Sequence, residues 1–232
     1  MEYILETNNL TKVYGQKEAA KDVNLHIQQG KIYGLIGRNG AGKTTIMRMI
    51  SGLSRPTRGS YSLFGKTGMA MQKQLKNVGV LIEHPGLYPR LSAYENVKIK
   101  CIGMGIKPKG YVEDLLKTVG LENTDAKKGA GSYSLGMRQR LGIALALVGD
   151  PKLIVLDEPS MGLSPLLVSE VFEIIKSFRE AGKTVLLVEQ NANKAMSISD
   201  RAYVLENGVI TMSGDAKELA EDERVRKAYL GA

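Results

Sequence analysis

The hydrophobic pattern of this chain alternates between short apolar runs and longer amphipathic stretches. Alternating apolar and polar residues at 23–27 predict a strand with one buried face. Uninterrupted apolar runs at 32–36, 153–156 and 185–188 are typical of strands that are buried on both faces. Because predicted helices separate these runs, we expect an α/β fold with a largely parallel sheet that is covered on both sides.

The helices are predicted from apolar residues that recur every three or four positions. The clearest is Pro165–Glu180, which begins with proline and carries one apolar stripe. Another helix begins at Lys43, shortly after the first buried run. Near the end of the sequence, apolar positions at 203–205 and 209–211 flank an Asn-Gly pair, which predicts a β-hairpin.

The middle of the chain differs from the rest, because residues 86–150 lack buried-strand runs. Helical patterns there predict three candidate helices, at Ala93–Gly103, 111–119 and 135–148. We therefore expect a single domain, 1–232, in which a helical lobe at 86–150 interrupts a core lobe formed by 1–85 and 151–232.

Composition is typical of a globular protein. Hydrophobic residues make up 43% of the 232 positions and charged residues 24%. No run approaches the roughly 18 consecutive apolar residues that a membrane-spanning helix needs, and the first residues lack the pattern of a signal peptide. The single cysteine, Cys101, fits a reducing compartment, so we expect a cytoplasmic protein.

The net charge of +8 is spread along the sequence and forms no long Lys/Arg tract. Such a charge fits solubility, nucleic-acid binding or work near an anionic membrane. Nucleic-acid binding would require basic residues clustered on one face. A mixed solvated surface is the simpler interpretation, and no nucleic-acid partner is expected.

A phosphate-binding loop pattern, Gly-Arg-Asn-Gly-Ala-Gly-Lys-Thr, lies between a predicted strand and a predicted helix. Its glycines allow successive backbone N–H groups to surround phosphates. Lys43 supplies charge to the β- and γ-phosphates, and Thr44 can ligate Mg²⁺. The candidate nucleotide-binding residues of this loop are Gly37, Arg38, Asn39, Gly40, Ala41, Gly42, Lys43, Thr44 and Thr45.

Two adjacent carboxylates follow the apolar run at 153–156. This run delivers Asp157 to the carboxyl end of a strand, where an open α/β sheet binds its ligands. Asp157 is a candidate Mg²⁺ ligand, and Glu158 can orient or deprotonate the attacking water. Such pairs also occur on ordinary surfaces, so the signal is informative only together with the phosphate-binding loop.

Residues 134–140, Ser-Leu-Gly-Met-Arg-Gln-Arg, resemble the signature sequence of ABC proteins, in a variant common in bacitracin- and lantibiotic-resistance exporters. A helix that begins after Ser134 would present its N-terminus to a phosphate. The resemblance covers essentially the whole chain. It implies a P-loop NTPase fold, namely an ABC-type nucleotide-binding domain with an antiparallel β portion and an inserted helical subdomain.

This resemblance also implies how the protein works. Two ATPase subunits, as a homodimer or a heterodimer, would close around two ATP molecules, and each signature segment would contact the nucleotide of the other subunit. The residues assigned to that contact are Ser134, Leu135, Gly136, Met137 and Gln139. Tyr14 matches the aromatic residue that stacks on adenine, which favours ATP over GTP. Integral membrane permease subunits would be further partners, at the inner face of the cell membrane.

Three positions depart from the family pattern. Glu83 stands where a glutamine usually contacts Mg²⁺ and the membrane partner, and a carboxylate remains a suitable metal ligand. Gln190 stands where a histidine usually contacts the γ-phosphate, and Ser164 replaces an aspartate. Glutamine donates a hydrogen bond but cannot carry a positive charge or move a proton. With Glu158, Lys43 and Gln190 as catalytic residues, we predict slow hydrolysis by this chain's own site, or hydrolysis mainly in a site that a partner completes.

The two halves of the sequence resemble different branches of the family. Residues 1–148 resemble bacitracin- and lantibiotic-type exporter ATPases, whereas 150–232 resemble the second ATPase of branched-chain amino-acid importers. One interpretation is a recombinant of two related ATPases, from which Gln190 would be inherited. The membrane-facing surface of the fold lies in the first half, so we predict that the chain drives export of a peptide antibiotic or a similar substrate through a separate permease.

Three other classes of function are alternatives to export. An importer ATPase is the nearest alternative. A soluble ABC ATPase without a transporter typically carries coiled-coil insertions or two cassettes, and this sequence has neither. A P-loop kinase would lack the signature sequence, and a GTPase should contain an Asn-Lys-x-Asp guanine reader that is missing here.

Overall fold

The fold, seen in a computed structural model that describes residues 3–125 and 127–230, combines two β-sheets with helices packed around them. In chain order the strands are β1 (Tyr3–Tyr14), β2 (Lys17–Val23), β3 (His26–Gln28), β4 (Ile32–Ile36), β5 (Arg58–Leu63), β6 (Val78–Leu81), β7 (Leu153–Asp157), β8 (Thr184–Glu189), β9 (Arg201–Glu206) and β10 (Val209–Asp215). The larger sheet has the spatial order β10-β9-β4-β8-β7-β6. Its pairings are parallel except for that of β10 with β9, as the buried apolar runs predict.

The helices are α1 (Lys43–Ile50), α2 (Gly68–Gln72), α3 (Ala93–Gly103), α4 (Tyr111–Thr118), α5 (Leu135–Leu147), α6 (Pro165–Glu180), α7 (Ala192–Ile198), α8 (Ala216–Glu221) and α9 (Glu223–Val225). Short 3₁₀ segments occupy Lys73–Asn77 and Ala130–Ser132, and a π-helical turn occupies Arg226–Leu230. The predicted helices at 111–119 and 135–148 each end one residue earlier than expected. Among the described helices, none has the length and apolar character that crossing a bilayer demands.

The predicted strand at 23–27 is wrong as a single element. β2 ends at Val23 and β3 begins at His26, and Thr7 of β1 bridges the break. The Thr7 hydroxyl donates to the Val23 carbonyl oxygen at 2.8 Å and accepts from the Leu25 N–H at 2.7 Å. The alternation of buried and exposed residues persists across the break. The pattern therefore indicated which side chains are buried, but not where the backbone pairing stops.

Two hydrophobic clusters lie against the two faces of the larger sheet. Ile154 and Leu156 of β7 belong to a cluster that contains residues of α3–α8. Leu153 and Val155 face the other way, into a cluster with α1 and the antiparallel sheet formed by β1, β2, β3 and β5. Alternate residues of one strand thus serve both cores, which confirms that the sheet is covered on both sides.

The C-terminal hairpin has the turn that its sequence predicts. Asn207 and Gly208 both adopt positive φ angles, 50° and 83°, and Val209 pairs with Glu206. Within 86–150, the described residues form helices, 3₁₀ turns and loops but no strand. The division of the chain into a core lobe and an inserted helical lobe remains a prediction.

Candidate functional site

The phosphate-binding loop joins β4 to α1 at the carboxyl edge of the larger sheet. Gly42 has a φ of 105°, and a Cβ atom there would lie 2.2 Å from the Ala19 carbonyl oxygen. A Cβ atom at Gly37 would lie 2.5 Å from the Leu205 carbonyl oxygen. Only glycine fits at both positions, because the loop packs directly against the backbones of β2 and β9.

Lys43 is buried at the centre of this loop, with 5% of its side chain exposed. Its ammonium group donates to the carbonyl oxygens of Gly37 at 2.8 Å and Arg38 at 3.3 Å. It also lies 3.2 Å from Oε1 of Glu158. The structure thus brings together two of the predicted catalytic residues, and the Glu158 carboxylate compensates the Lys43 charge.

Asp157 and Thr44 form the candidate metal site. The Thr44 hydroxyl donates to Oδ2 of Asp157 at 2.9 Å, whereas Oδ1 is buried and has no hydrogen-bond partner among the described residues. Burial raises the pKa of the Asp157 carboxyl, and the hydrogen bond from Thr44 opposes that shift. The unsatisfied carboxylate oxygen of Asp157 and the Thr44 hydroxyl are both hard oxygen ligands. Together they fit Mg²⁺, bound either directly or through one of its water ligands.

Glu158 follows β7 directly and has a φ of 47°, in the left-handed region that few non-glycine residues adopt. Its N–H donates to the Val188 carbonyl oxygen at 2.9 Å, which ties the residue to β8. This bend turns the side chain towards Lys43 and leaves it 19% exposed. A partly exposed carboxylate at this position can reach a water molecule on the open side of the loop.

A cavity of about 330 Å³ opens beside the loop. It is lined by Tyr14, Lys17, Ala19, Glu158 and residues 39–45. Tyr14 is exposed at its rim, and the Lys12 ammonium lies 5.1 Å from the centre of its ring. No motif predicted Lys17 or Ala19. The hairpin between β1 and β2 places both residues in the lining of the cavity. The sequence offered one hint for Lys17, namely its position three residues after Tyr14, and none for Ala19.

The signature segment lies elsewhere in the structure. Ser134 precedes α5, and its hydroxyl accepts a hydrogen bond from the Met137 N–H at 3.3 Å. Leu135 is 39% exposed, while Gly136 and Gln139 are buried. Gly136 packs so closely on α6 that an added Cβ would lie 3.0 Å from the Leu167 side chain. Of the described residues, none in 134–140 lines the cavity beside the phosphate-binding loop.

Two predicted site residues are found apart from the loop. The Glu83 carboxylate forms an ion pair with Arg48 of α1, and Glu83 has a φ of 59°. Ligation of a metal by Glu83 would require this pair to break, so that role stays a prediction. Gln190 is exposed at the end of β8, directly after the buried Glu189.

The ABC transporter family profile matches residues 20–161, which contain the phosphate-binding loop, the signature segment and the adjacent carboxylates. The chain belongs to the ABC transporter family. As an ABC ATPase it binds nucleotide and couples ATP hydrolysis to transport. Its fold is that of a P-loop ABC cassette, as the sequence predicted.

Relatives from both predicted branches of the ABC family are similar to this chain. The bacitracin transport ATP-binding protein BcrA of Enterococcus faecalis is 42% identical over 97% of this chain and 73% of its own length. The lantibiotic transport ATP-binding protein SrtF of Streptococcus pyogenes is 40% identical over 97% of this chain and 96% of its own. The branched-chain amino acid transport ATP-binding protein BraG of Pseudomonas aeruginosa is 37% identical over 98% and 100%.

Solved ABC ATPases share the fold. CbiO1 from Clostridium perfringens, described as part of the ABC transporter complex cbiONQ, superposes with a TM-score of 0.86 and 28% identity over 99% of this chain and 96% of its own. The ATP-binding cassette MJ0796, solved as a dimer in a post-hydrolysis state with ADP and Pi, superposes with a TM-score of 0.80 and 26% identity over 91% and 98%. These similarities extend over almost the entire chain.

Proposed function

We propose that this ABC ATPase powers the export of a peptide antibiotic, or a substrate like it, through a separate membrane permease. The observation that carries the proposal is the similarity to bacitracin and lantibiotic transport ATPases, at 42% and 40% identity over 97% of this chain. Both relatives are named for the transport of such molecules. The protein would work at the cytoplasmic face of the membrane, where ATP and the permease are both available.

An apolar groove of about 490 Å³ is the candidate permease surface. It lies between the segment after β6 and helices α3 and α5, and the exposed side chains of Leu53, Tyr88 and Ile99 line it. Exposed apolar residues that line one concave surface favour a protein partner, whereas scattered ones do not. The groove belongs to the exporter-like part of the sequence, which supports an exporter permease as the partner.

An importer ATPase is the second candidate. BraG matches 100% of its own length at 37% identity, and residues 150–232 carry importer-like sequence. That half contains Glu158 and Gln190 but does not contribute to the lining of the apolar groove. We therefore place partner choice with the first half of the chain.

Co-purification from membranes tests the choice between the two permeases. Tagged chain is expressed with an exporter permease or with a branched-chain amino-acid permease, and we expect recovery of the exporter only. Ile99→Glu should abolish recovery because it places a charge in the groove, while Met69→Glu, an exposed apolar site outside the groove, should not. Recovery of the importer permease alone would reverse the assignment.

A dimer completes the nucleotide site in this proposal. One chain provides the loop 37–45 but none of its described signature residues reach the same cavity. The exposed N-terminus of α5 and the exposed Leu135 are therefore available to a nucleotide held by a second subunit. Size-exclusion chromatography of Glu158→Gln should show an ATP-dependent dimer that ADP does not support.

The mechanism uses each residue where the structure places it. Lys43 exchanges its contacts with Gly37 and Glu158 for the β- and γ-phosphates, and the released Glu158 carboxylate orients water for attack. Thr44 and Asp157 would hold Mg²⁺, which supplies charge neutralisation on the phosphates when bound. The N-terminal N–H groups of the partner's α5 stabilise the negative charge that develops on the γ-phosphate. After hydrolysis that attraction is lost and the subunits separate.

Gln190 limits the rate in this mechanism. It is exposed at the end of β8, and its amide can donate to the γ-phosphate but adds no positive charge. We infer slow turnover by a homodimer, or hydrolysis mainly in a site that a second ATPase with a histidine completes. Fast, cooperative turnover by the purified homodimer would contradict this inference.

A further inference from the structure

Glu189 is a buried carboxylate that none of the steps above uses. It is the last residue of β8, its exposure is 2%, and its neighbour Gln190 points to the exposed side. Among the described residues it forms no ion pair. A buried carboxylate without a cationic partner is costly to the fold unless it accepts several hydrogen bonds.

The loop that follows Glu158 donates a backbone hydrogen bond to Glu189. The Ser160 N–H donates to Oε1 of Glu189 at 3.2 Å. The Ser160 hydroxyl and the Asn191 N–H act on the same carboxylate. Burial is the larger influence and raises the pKa of Glu189, while these hydrogen bonds oppose the shift.

Glu158 needs external support for its backbone conformation. Its φ of 47° is unfavourable for a residue with a side chain, so neighbouring contacts must hold it. One such contact is the hydrogen bond from its own N–H to Val188, and the next along the loop is the bond from Ser160 to Glu189. Between them the chain turns tightly, with the Met161 N–H donating to the Glu158 carbonyl oxygen at 3.0 Å.

We propose that Glu189 is a positioning residue for ATP hydrolysis, which fixes the loop from Ser160 and thereby aims the Glu158 carboxylate. The inference rests on the proposed role of Glu158 as the group that orients the attacking water. In this proposal Glu189 acts through the loop and not by direct contact with the nucleotide. Loss of its hydrogen bonds would free the turn at 158–161 to relax towards an unstrained φ, and the Glu158 side chain would move with it.

Steady-state hydrolysis of radiolabelled ATP by the full-length protein tests the proposal. Glu189→Ala removes the acceptor and is expected to lower kcat by about 10- to 100-fold, the effect of a small misplacement of a catalytic group, with KM changed by less than about threefold. Glu189→Gln keeps an oxygen acceptor at the same reach and should retain kcat within about threefold of wild type. Glu189→Asp keeps the charge but withdraws the acceptor by one methylene, and should resemble Glu189→Ala.

A matched control separates positioning from general loss of stability. Thr7→Val removes two buried hydrogen bonds in the antiparallel sheet, so it should lower Tm without lowering kcat in the folded fraction. Should Glu189→Ala fail to fold, the comparison of Glu189→Asp with Glu189→Gln decides the same question. Wild-type kcat in Glu189→Asp, or a Glu189→Gln enzyme as slow as Glu189→Asp, would overturn the proposal.

Glu158→Gln keeps this test distinct from the proposed function. If Glu158→Gln abolishes turnover and Glu189→Asp does not affect it, only the positioning role fails. If Glu158→Gln turns over at the wild-type rate, the assignment of Glu158 itself fails, and the positioning role fails with it.

Discussion

The Glu158→Gln substitution gives the most decisive prediction, because it should change hydrolysis and nucleotide affinity in opposite directions. Glutamine has the shape of glutamate but cannot take a proton from water. A positioned general base contributes about 10²- to 10⁴-fold, so turnover should fall by that factor, which corresponds to about 3–5 kcal/mol in the barrier.

The expected effect on affinity follows from the ion pair with Lys43. At a separation of 3.2 Å the Coulomb attraction is about 5 kcal/mol for an effective dielectric constant of about 20. Desolvation offsets most of this, since Lys43 is buried and Glu158 mostly so. If about 1 kcal/mol of net attraction is removed, Lys43 is released more readily to the phosphates, and ATP should bind about fivefold more tightly.

Phosphate release measures turnover, and titration with a fluorescent ATP analogue measures affinity. Glu173→Gln is the matched control, because Glu173 is an exposed partner of Lys176 on the outer side of α6 and should leave both quantities unchanged. Wild-type turnover by Glu158→Gln would exclude the base role. Slow turnover with weakened ATP binding would instead show that the substitution damages the site as a whole.

Three further predictions concern single side chains. Lys43→Ala should weaken ATP binding by about 30- to 150-fold, because charged hydrogen bonds to phosphate contribute about 2–3 kcal/mol. Calorimetry would measure the change, and an unchanged Kd would remove Lys43 from the site. Gln190→His should raise kcat severalfold in the phosphate-release assay because it restores a positive charge near the γ-phosphate, and a decrease would indicate that glutamine is the adapted residue. Glu189→Gln should raise Tm at about pH 8, with a gain that shrinks towards about pH 4. Burial raises the pKa of Glu189 above its value in the unfolded chain, so the folded chain binds more protons. Wild type therefore loses stability as the pH rises between these two values, whereas Glu189→Gln does not. A gain in Tm that is independent of pH would contradict this cause.

The sequence by itself determined the strands and helices that have strong local signals. The buried runs at β4, β7 and β8 and the helix Pro165–Glu180 appear where the pattern predicts them. The hairpin at β9 and β10 follows from an Asn-Gly pair that tolerates positive φ angles. These elements depend on residues close together in the chain, and the phosphate-binding loop is recognisable for the same reason.

Only the tertiary structure decided where the backbone pairing with β1 is interrupted, at the break between β2 and β3. It also decided which charges meet. Arg48 pairs with Glu83, and Lys43 pairs with Glu158, although about 35 and 115 residues separate them in sequence. Ion pairs of this kind depend on where the sheet brings strand ends together, and no local pattern encodes that position.

Glu189 shows the same limit most clearly. In the sequence Glu189 precedes Gln190, and the family pattern predicts a role only for position 190. The fold, however, buries Glu189 beneath Ser160. Propensity and periodicity report whether a residue suits a strand or a helix. Whether a carboxylate at the end of that strand reaches a backbone N–H about 30 residues away depends on the packing of β7 beside β8, which exists only in the folded chain.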